Sequence, residues 1–332
     1  MVQPLYDRYQ RRINYLRLSV TDRCNFRCIY CMPASGIDKC PHSDILSYEQ
    51  FLMVAEAALA LGVEKIRLTG GEPLVRKEIL PFIERLHGLP DLKQLVVTTN
   101  GFNLLQMAKP LRDIGISQLN VSLDTLKPRR FEKITRIGSL QPVWDGIVLA
   151  DVLGIPLKLN MVVMRGINDD EIADFAALTL RYNWSVRFIE YMPNSDGSQH
   201  ERGLSAHEIY QRIHAIYPLE KIESHAMAGP ATNYRIKGMP GRRSVPGTIG
   251  IISALSCSFC SSCNRIRVTS TGKMRNCLYA EDETDLRSYL DNGDLAGLKA
   301  AIMSNVDKKP CCHHVGWSNN QSSALHMSKV GG

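Results

Sequence analysis

The chain has 332 residues, of which 44% are hydrophobic and 22% are charged, as in an ordinary globular protein with a sizeable core. Its 40 Lys and Arg residues against 33 Asp and Glu residues give a net charge of +7, which suits an anionic ligand but is too small and dispersed to indicate nucleic acid. Residues 1–12 lack the apolar segment of a signal peptide, and no apolar run approaches membrane-spanning length, so we expect a cytoplasmic protein that does not enter a membrane.

Strand-like and helix-like segments alternate along the N-terminal part of the chain. Strands are predicted at residues 16–21, 65–69, 95–99, 118–124, 157–164 and 186–192. Amphipathic helices are predicted at residues 48–61, 76–87, 103–114, 127–136, 142–153, 170–182 and 206–217. Two of the helices begin with capping boxes, Ser47 with Gln50 and Ser205 with Glu208. Six alternating units with right-handed crossovers predict an α/β fold, a partial (βα)6 barrel of the TIM type.

The character of the chain changes after Pro218. Residues 224–247 are rich in Gly, Pro and basic residues, and a strand is predicted at 248–253. Residues 265–275 have the pattern of a hairpin that turns at Thr271-Gly272. We therefore predict two domains, a barrel at residues 1–225 and a smaller C-terminal domain at residues 226–332.

The loop that leaves the first predicted strand contains Cys24, Cys28 and Cys31, with the spacing C-x3-C-x2-C. Loops at the carboxyl ends of barrel strands converge on one face, where such folds build active sites. Three thiolates in so short a loop can hold three irons of a cubane cluster and leave the fourth iron open. The alternatives are a zinc site, which needs a fourth ligand nearby, a disulfide or ordinary buried thiols.

A second cysteine group, Cys260, Cys263 and Cys277, has the spacing C-x2-C-x13-C. The predicted hairpin would return Cys277 towards the other two, which again gives three thiolates and suits a second four-iron cluster. Zinc remains an alternative here, because Cys257 could serve as a further ligand. No role is assigned to the remaining cysteines of interest or to the histidines beside them, which we expect in loop or solvated tail: Cys40, Cys311, Cys312, His313 and His314.

The first cysteine motif, with Tyr30 just before its third cysteine, resembles the signature of the radical S-adenosylmethionine (SAM) superfamily. The resemblance implies that SAM chelates the open iron and that its reductive cleavage gives a 5′-deoxyadenosyl radical. Together with the Gly-Gly-Glu-Pro turn at 70–73, the second triad and the terminal Gly331-Gly332, the whole chain resembles the GTP 3′,8-cyclase family. That family opens molybdenum cofactor biosynthesis by joining C3′ of GTP to C8.

The resemblance assigns roles by matching position. It implies that four residues contact SAM: Tyr30, Gly71, Ser122 and Met192. It implies that seven contact GTP: Arg17, Arg67, Thr98, Lys158, Arg265, Ile266 and Arg267. It gives catalytic importance to Arg17, Arg265, Arg267, Gly331 and Gly332. These implied roles have physical reasons, since guanidinium groups suit a triphosphate and a Gly-Gly pair would let the backbone close on the methionine end of SAM. Taken alone, a Gly-Gly pair after a strand is more often a turn.

The same resemblance implies that the open iron of the second cluster binds the guanine of GTP. It also implies cyclic pyranopterin monophosphate synthase as the downstream enzyme. We expect a flavodoxin or ferredoxin as electron donor, and a monomer or homodimer. One rival hypothesis is a radical SAM enzyme that modifies peptides, and another is a zinc-stabilised module that binds a nucleotide or nucleic acid without catalysis.

Overall fold

The computed structural model describes residues 4–192, 202–223, 229–238, 247–256, 259–280 and 282–313. Four residues singled out from the sequence lie outside the described ranges: Cys257, His314, Gly331 and Gly332. Within those ranges, no helix combines the length and apolar character needed to cross a bilayer.

The described part of the chain forms one sheet of twelve strands. Their bounds are β1 Tyr15–Ser19, β2 Lys65–Thr69, β3 Gln94–Thr99, β4 Gln118–Ser122, β5 Leu157–Val163, β6 Ser185–Glu190, β7 Leu219–Ile222, β8 Thr232–Ile236, β9 Thr248–Ile252, β10 Arg265–Val268, β11 Lys273–Arg275 and β12 Thr284–Asp285. The helices are α1 Tyr48–Ala60, α2 Ile79–His87, α3 Leu104–Ile114, α4 Pro128–Thr135, α5 Leu140–Val152, α6 Ile172–Arg181, α7 Ala206–His214, α8 Arg287–Asp291 and α9 Leu295–Asp307.

The six predicted parallel strands, β1 to β6, are confirmed and lie side by side in sequence order. The C-terminal region extends this run at both ends, because β10 pairs parallel with β1 and β9 pairs parallel with β6. Antiparallel strands complete the edges, β11 and β12 beside β10, and β8 and β7 beside β9. Both predicted domains therefore contribute to one sheet, and the boundary at 225/226 stays a prediction.

The two faces of the parallel strands differ in chemistry. On β1, Leu16 and Leu18 join the apolar core, which also contains helix residues such as Phe51 and Phe82. Alternate residues such as Arg17 point to the opposite face, because side chains alternate along a strand. Strands of a parallel sheet are usually apolar on both faces. The inner face of these strands is instead polar, and a polar face inside the fold can hold a ligand.

Helix boundaries follow local signals. Both capping boxes are confirmed, since the Ser47 hydroxyl accepts from the Gln50 backbone N–H at 3.1 Å and Ser205 pairs with Glu208 in the same way. The predicted helix at 76–87 starts later, at Ile79, because Glu78 before it has a left-handed backbone with φ of 55°. Helix α9 was not predicted, although Asp294 caps it by accepting from the Gly297 N–H at 2.8 Å.

Candidate active site

One cavity joins most of the residues singled out from the sequence. It is lined by both cysteine triads and by Arg17, Tyr30, Arg67, Gly71, Thr98, Ser122, Met192, Arg265 and Arg267. Two predicted contact residues do not line it. Lys158 is on the same inner face, two positions before the cavity residue Asn160 on the same strand. The Ile266 side chain packs in the apolar core on the other face.

The first triad lies on a loop that the fold holds from both sides. Behind it, the backbone N–H groups of Arg27 and Ile29 donate to the carbonyls of Thr135 and Ile134 at the end of α4, both at 2.9 Å. Within it, the Cys31 N–H donates to the Cys28 carbonyl at 2.9 Å. The loop therefore has a fixed shape that brings three thiols to one cavity wall.

The Gly70-Gly71 turn packs directly on this loop. A Cβ on Gly71 would lie 2.3 Å from the Arg23 carbonyl oxygen, and one on Gly70 would lie 2.4 Å from that of Thr21. The Gly71 N–H donates to the Thr21 carbonyl at 2.7 Å. The packing of the cysteine loop is thus one steric reason for glycine at both positions, and the contact of Gly71 with SAM stays a prediction.

Glu72 follows the turn and is buried. Its carboxylate accepts from the Thr99 hydroxyl at 2.8 Å and from the Asn100 backbone N–H at 2.6 Å. Burial raises the pKa of Glu72 to about 7 despite these bonds. The Asn100 side chain in turn lies 3.8 Å from the Cys24 sulfur, so Glu72 ties the ends of β2 and β3 to the first triad.

Tyr30 is held by a buried carboxylate. Its hydroxyl donates to Asp124 at 2.8 Å, and the other Asp124 oxygen accepts from the Val162 N–H at 2.9 Å. Burial raises the pKa of Asp124 to about 6 and raises that of Tyr30 well above its usual value. The contact fixes the aromatic ring beside the cysteines and links the loop to the ends of β4 and β5.

The second triad is assembled from two segments. Cys260 begins a short 3-10 helix, Cys260–Ser262, and Cys263 is the residue that follows it. Cys277 lies just after β11, the second strand of the hairpin. The predicted hairpin is confirmed, with Arg267 opposite Arg275 and Val268 opposite Met274. It returns Cys277 to the same cavity wall.

Buried cations from distant parts of the chain support the second triad. Arg11 donates to the Cys260 carbonyl at 2.7 Å, and Lys309 donates to the carbonyls of Arg265, at 2.9 Å, and Asn276. Burial acts to raise the pKa of Cys263, but Arg265 and Lys309 outweigh it, and the pKa is lowered to about 6. This end of the cavity is therefore electropositive.

The chemistry of the donors fits iron–sulfur clusters. Each triad offers three thiols, and in a cubane cluster each thiolate binds a different iron. Among the described residues, no three Cys, His, Asp or Glu side chains converge on one position as a single ion would require.

Cys40 does not line the cavity. His313 does, with its ring 4.6 Å from that of Tyr279, so the solvated tail expected at 311–314 is wrong for this residue.

Seven basic side chains occupy the inner face of the central strands: Arg17, Lys65, Arg67, Lys158, Arg187, Arg265 and Arg267. Strand register explains their proximity, because Arg17 pairs with Arg67 on one side and with Arg267 on the other. Arg67 also donates to the carboxamide oxygen of Asn120 at 2.9 and 3.0 Å, with the amide oriented to present that oxygen. Such a concentration of positive charge inside a cavity attracts a polyanion.

Burial and mutual repulsion lower the pKa values of several of these basic side chains. Burial, followed by Arg187, Lys65 and Arg67, lowers the pKa of Lys158 to about 6. Burial lowers the pKa of Arg187 and of Arg267 to about 10 each. The buried Thr98 hydroxyl and the Asn160 carboxamide oxygen have no hydrogen-bond partner within the described residues. Buried polar atoms are normally satisfied, so both are available to a ligand in the cavity.

Comparisons with known proteins agree with this site. Residues 18–179 match the radical SAM superfamily, and residues 184–315 match the family described as Molybdenum Cofactor Synthesis C. The crystal structure of Streptococcus suis SuiB is 15% identical, with a TM-score of 0.58 over 89% of this chain and 69% of that one, and shares the fold. The chain is thus a radical SAM protein, whose cofactors are SAM and an iron–sulfur cluster.

Relatives that match nearly the whole chain identify the family within this superfamily. The chain is 51% identical to the GTP 3′,8-cyclase of Geobacter sulfurreducens over 99% of both proteins. It is 44% identical to that of Moorella thermoacetica over 99% of this chain and 100% of the relative. The chain belongs to the GTP 3′,8-cyclase family.

Several residues of the site were not predicted from the sequence. Four of them line the cavity, Tyr15, Glu72, Asn160 and Arg187, and two more, Lys65 and Asp124, interact with lining residues. Most share a detectable signal, since they are polar residues at alternate positions of otherwise apolar strands. Glu72 was visible only as part of the Gly-Gly-Glu-Pro turn. Contacts of individual residues with SAM or GTP stay predictions.

Proposed function

We propose that this protein converts GTP to (8S)-3′,8-cyclo-7,8-dihydroguanosine 5′-triphosphate, the first step of molybdenum cofactor biosynthesis. The observation that carries the proposal is the single cavity, which combines two cysteine triads with buried basic side chains between them. A peptide-modifying enzyme would have little use for so many arginines in the barrel interior. A triphosphate, in contrast, needs several bidentate donors.

In this proposal the first cluster with SAM, the triphosphate and the second cluster are each held by a different set of residues. Cys24, Cys28 and Cys31 hold the cluster that SAM binds, and Gly71 and Ser122 line the position of SAM. When bound and reduced, cluster and SAM supply a 5′-deoxyadenosyl radical that removes the hydrogen from C3′ of the ribose.

The basic residues Arg17, Arg67 and Arg267 hold the triphosphate, with Thr98 and Lys158 as further donors. Holding the nucleotide by its phosphates fixes the ribose against the SAM end of the cavity and excludes water from it. Arg265 lies 3.8 Å from the Cys263 sulfur and so connects the phosphate-binding residues to the second triad.

Cys260, Cys263 and Cys277 hold a second four-iron cluster in this proposal, and its open iron binds the guanine. The tail residues Gly331 and Gly332 enter the site for catalysis. Product passes to cyclic pyranopterin monophosphate synthase, a flavodoxin or ferredoxin supplies electrons, and the protein works in the cytoplasm as a monomer or homodimer.

Anaerobic reconstitution tests the proposal. We expect about eight irons per chain, two four-iron clusters, and formation of 5′-deoxyadenosine that depends on GTP when SAM and dithionite are present. The cyclic nucleotide should accumulate in step with it. About four irons plus zinc, with SAM cleavage indifferent to GTP, would favour the peptide-modifying alternative. A colourless protein that binds GTP without SAM would favour the zinc module.

A further inference from the structure

A basic groove lies on the outer surface behind the first cysteine loop. Its charged lining residues are Lys127, Arg129, Arg130, Lys133, Arg136 and Arg202, and its apolar lining includes Ile29, Ile134 and Ile167. It is separate from the cavity described above and shares no lining residue with it. The active-site residues do not account for it.

Much of the groove's positive charge is not neutralised. Lys127 and Arg130 form salt bridges with Asp170, at 2.7 and 2.5 Å, and Arg130 also contacts Glu171. The other four have no salt bridge within the described residues: Arg129, Lys133, Arg136 and Arg202. Charged side chains that cluster without acidic partners repel one another unless an anion binds them. The groove therefore favours an acidic partner.

The groove and the cysteine loop are joined through their backbones. Ile29 lines the groove, while its neighbours Cys28 and Tyr30 line the cavity on the other side of the same loop. Ile29 packs with Ile134, and its N–H donates to the Ile134 carbonyl at 2.9 Å. The groove floor is thus the outer surface of the loop whose inner surface carries the thiols.

Arg136 reinforces this connection. Its guanidinium donates to the carbonyls of Arg27, just before Cys28, at 2.9 Å and of Met32, just after Cys31, at 3.0 Å. A protein seated in the groove would contact a surface that is rigidly connected to the first triad.

We propose that this groove is the docking site of an acidic one-electron carrier protein, which reduces the cluster held by Cys24, Cys28 and Cys31. The inference rests on the proposed function, because reductive cleavage of SAM takes one electron from outside the chain. The carrier would be oxidised by one electron, which the cluster would take up and pass to SAM; the bond between sulfur and C5′ would then break to give methionine and the 5′-deoxyadenosyl radical. Placement beside the first triad distinguishes an electron carrier from other acidic partners, which gain nothing from that proximity.

The test reverses charge on the exposed face of α4. We expect Arg129→Glu with Lys133→Glu to raise the KM for reduced flavodoxin about tenfold, since like charges across an interface slow association and weaken it. With dithionite as reductant, the same variant should keep its activity within about twofold, because a small reductant needs no docking site. At saturating GTP, added salt should slow the flavodoxin reaction of the unaltered protein much more than the dithionite reaction.

The matched control is Lys237→Glu with Lys308→Glu, which changes the net charge equally at exposed positions elsewhere on the described surface. It should leave the KM for flavodoxin unchanged. Equal effects of both double variants, or an equal loss of flavodoxin-driven and dithionite-driven turnover, would overturn the docking site. So would tighter binding of a labelled RNA duplex than of flavodoxin by the unaltered protein.

Direct binding separates this inference from the proposed function. The affinity for fluorescently labelled flavodoxin can be measured whether or not GTP is converted. If the reconstituted protein fails to convert GTP with dithionite, the proposed function fails. Weaker flavodoxin binding by the Arg129→Glu/Lys133→Glu variant alone would still support the groove, and unchanged binding would remove it.

Discussion

The two cysteine triads line one cavity but are built in different ways. The first lies on eight consecutive residues, Cys24 to Cys31, and its shape comes from neighbouring loop ends. The second joins two segments and depends on Arg11, which is 249 residues from Cys260, and on Lys309 near the end of the described chain. The first is therefore a local structure on the barrel, and the second depends on long-range contacts.

Their electrostatic surroundings differ as well. Burial raises the pKa of Cys24 and of Cys28, and Asp124 adds to the effect at Cys28. At Cys263, Arg265 and Lys309 outweigh burial and lower the pKa to about 6. The surroundings of the second triad thus favour the thiolate of Cys263, whereas those of the first disfavour the thiolates of Cys24 and Cys28, so the two ends of the cavity differ in charge.

The largest effect should come from breaking the first triad. We expect Cys28→Ala to lower reconstituted iron from about eight to about four per chain and to bring SAM cleavage below detection. Three of the four cluster irons each need a thiolate, and Cys28 supplies one of the three in this loop. Iron counting and 5′-deoxyadenosine assays measure the two effects.

Cys40→Ala is the matched control, because Cys40 belongs to the same N-terminal region but does not line the cavity. It should keep both iron and activity. Loss of iron in both variants would show that the first site recruits a ligand from farther along the loop, and the local character of this triad would then be wrong.

Breaking the second triad should have a narrower effect. We expect Cys263→Ala to lose about four irons and to stop nucleotide cyclisation, while slow SAM cleavage without GTP dependence remains. The first triad has its own scaffold, so its cluster should assemble normally. If SAM cleavage disappeared as completely as in Cys28→Ala, the two sites would not be independent.

A single methyl group tests the scaffold of the first triad. Gly71→Ala would place a Cβ 2.3 Å from the Arg23 carbonyl oxygen, so the loop must shift. We expect a loss of about 3 kcal/mol in the free energy of unfolding, at the upper end of the cost of overpacking a site. Anaerobic chemical denaturation of the cluster-free protein measures it.

The control is Gly88→Ala, where φ is −74° and the nearest atoms lie at 3.6 Å. It should change stability by less than about 0.5 kcal/mol. An equally mild effect at Gly71 would mean that the loop yields easily, which would weaken the contrast between a rigid first site and a dispersed second one.

The contrast between the triads also explains what the sequence could predict. The alternation of strands and helices, both capping boxes and the first triad depend on residues close together in the chain, and the structure agrees with them. The hairpin that returns Cys277 was likewise visible from its turn.

Long-range features were not predictable in the same way. No local pattern indicates that β10 pairs with β1 or that Lys309 donates to the Arg265 carbonyl. Lys65 and Arg187 are far apart in the sequence, and only the pairing of the strands places both near Lys158. Their proximity to one another comes from strand pairing, which requires contacts between distant segments.

The smallest effect concerns Lys158, whose pKa is lowered to about 6 by burial and then by Arg187, Lys65 and Arg67. In the nucleotide-free protein at pH 7.5 its amine is mostly neutral. A bound triphosphate favours the charged form and raises this pKa, so GTP binding should take up about one proton. Isothermal titration without reductant, in buffers of different ionisation enthalpy, measures the uptake.

The sign of the pH dependence follows from the same linkage. Between pH 6 and the higher pKa of the bound state, binding requires protonation of Lys158, so GTP affinity should fall by up to about tenfold per pH unit as the pH rises. Lys158→Met should abolish both the uptake and this slope, whereas Lys308→Met, at an exposed position after α9, should change neither. Proton uptake that persisted in Lys158→Met would assign it to another group, and affinity that rose with pH would contradict a triphosphate on these strands.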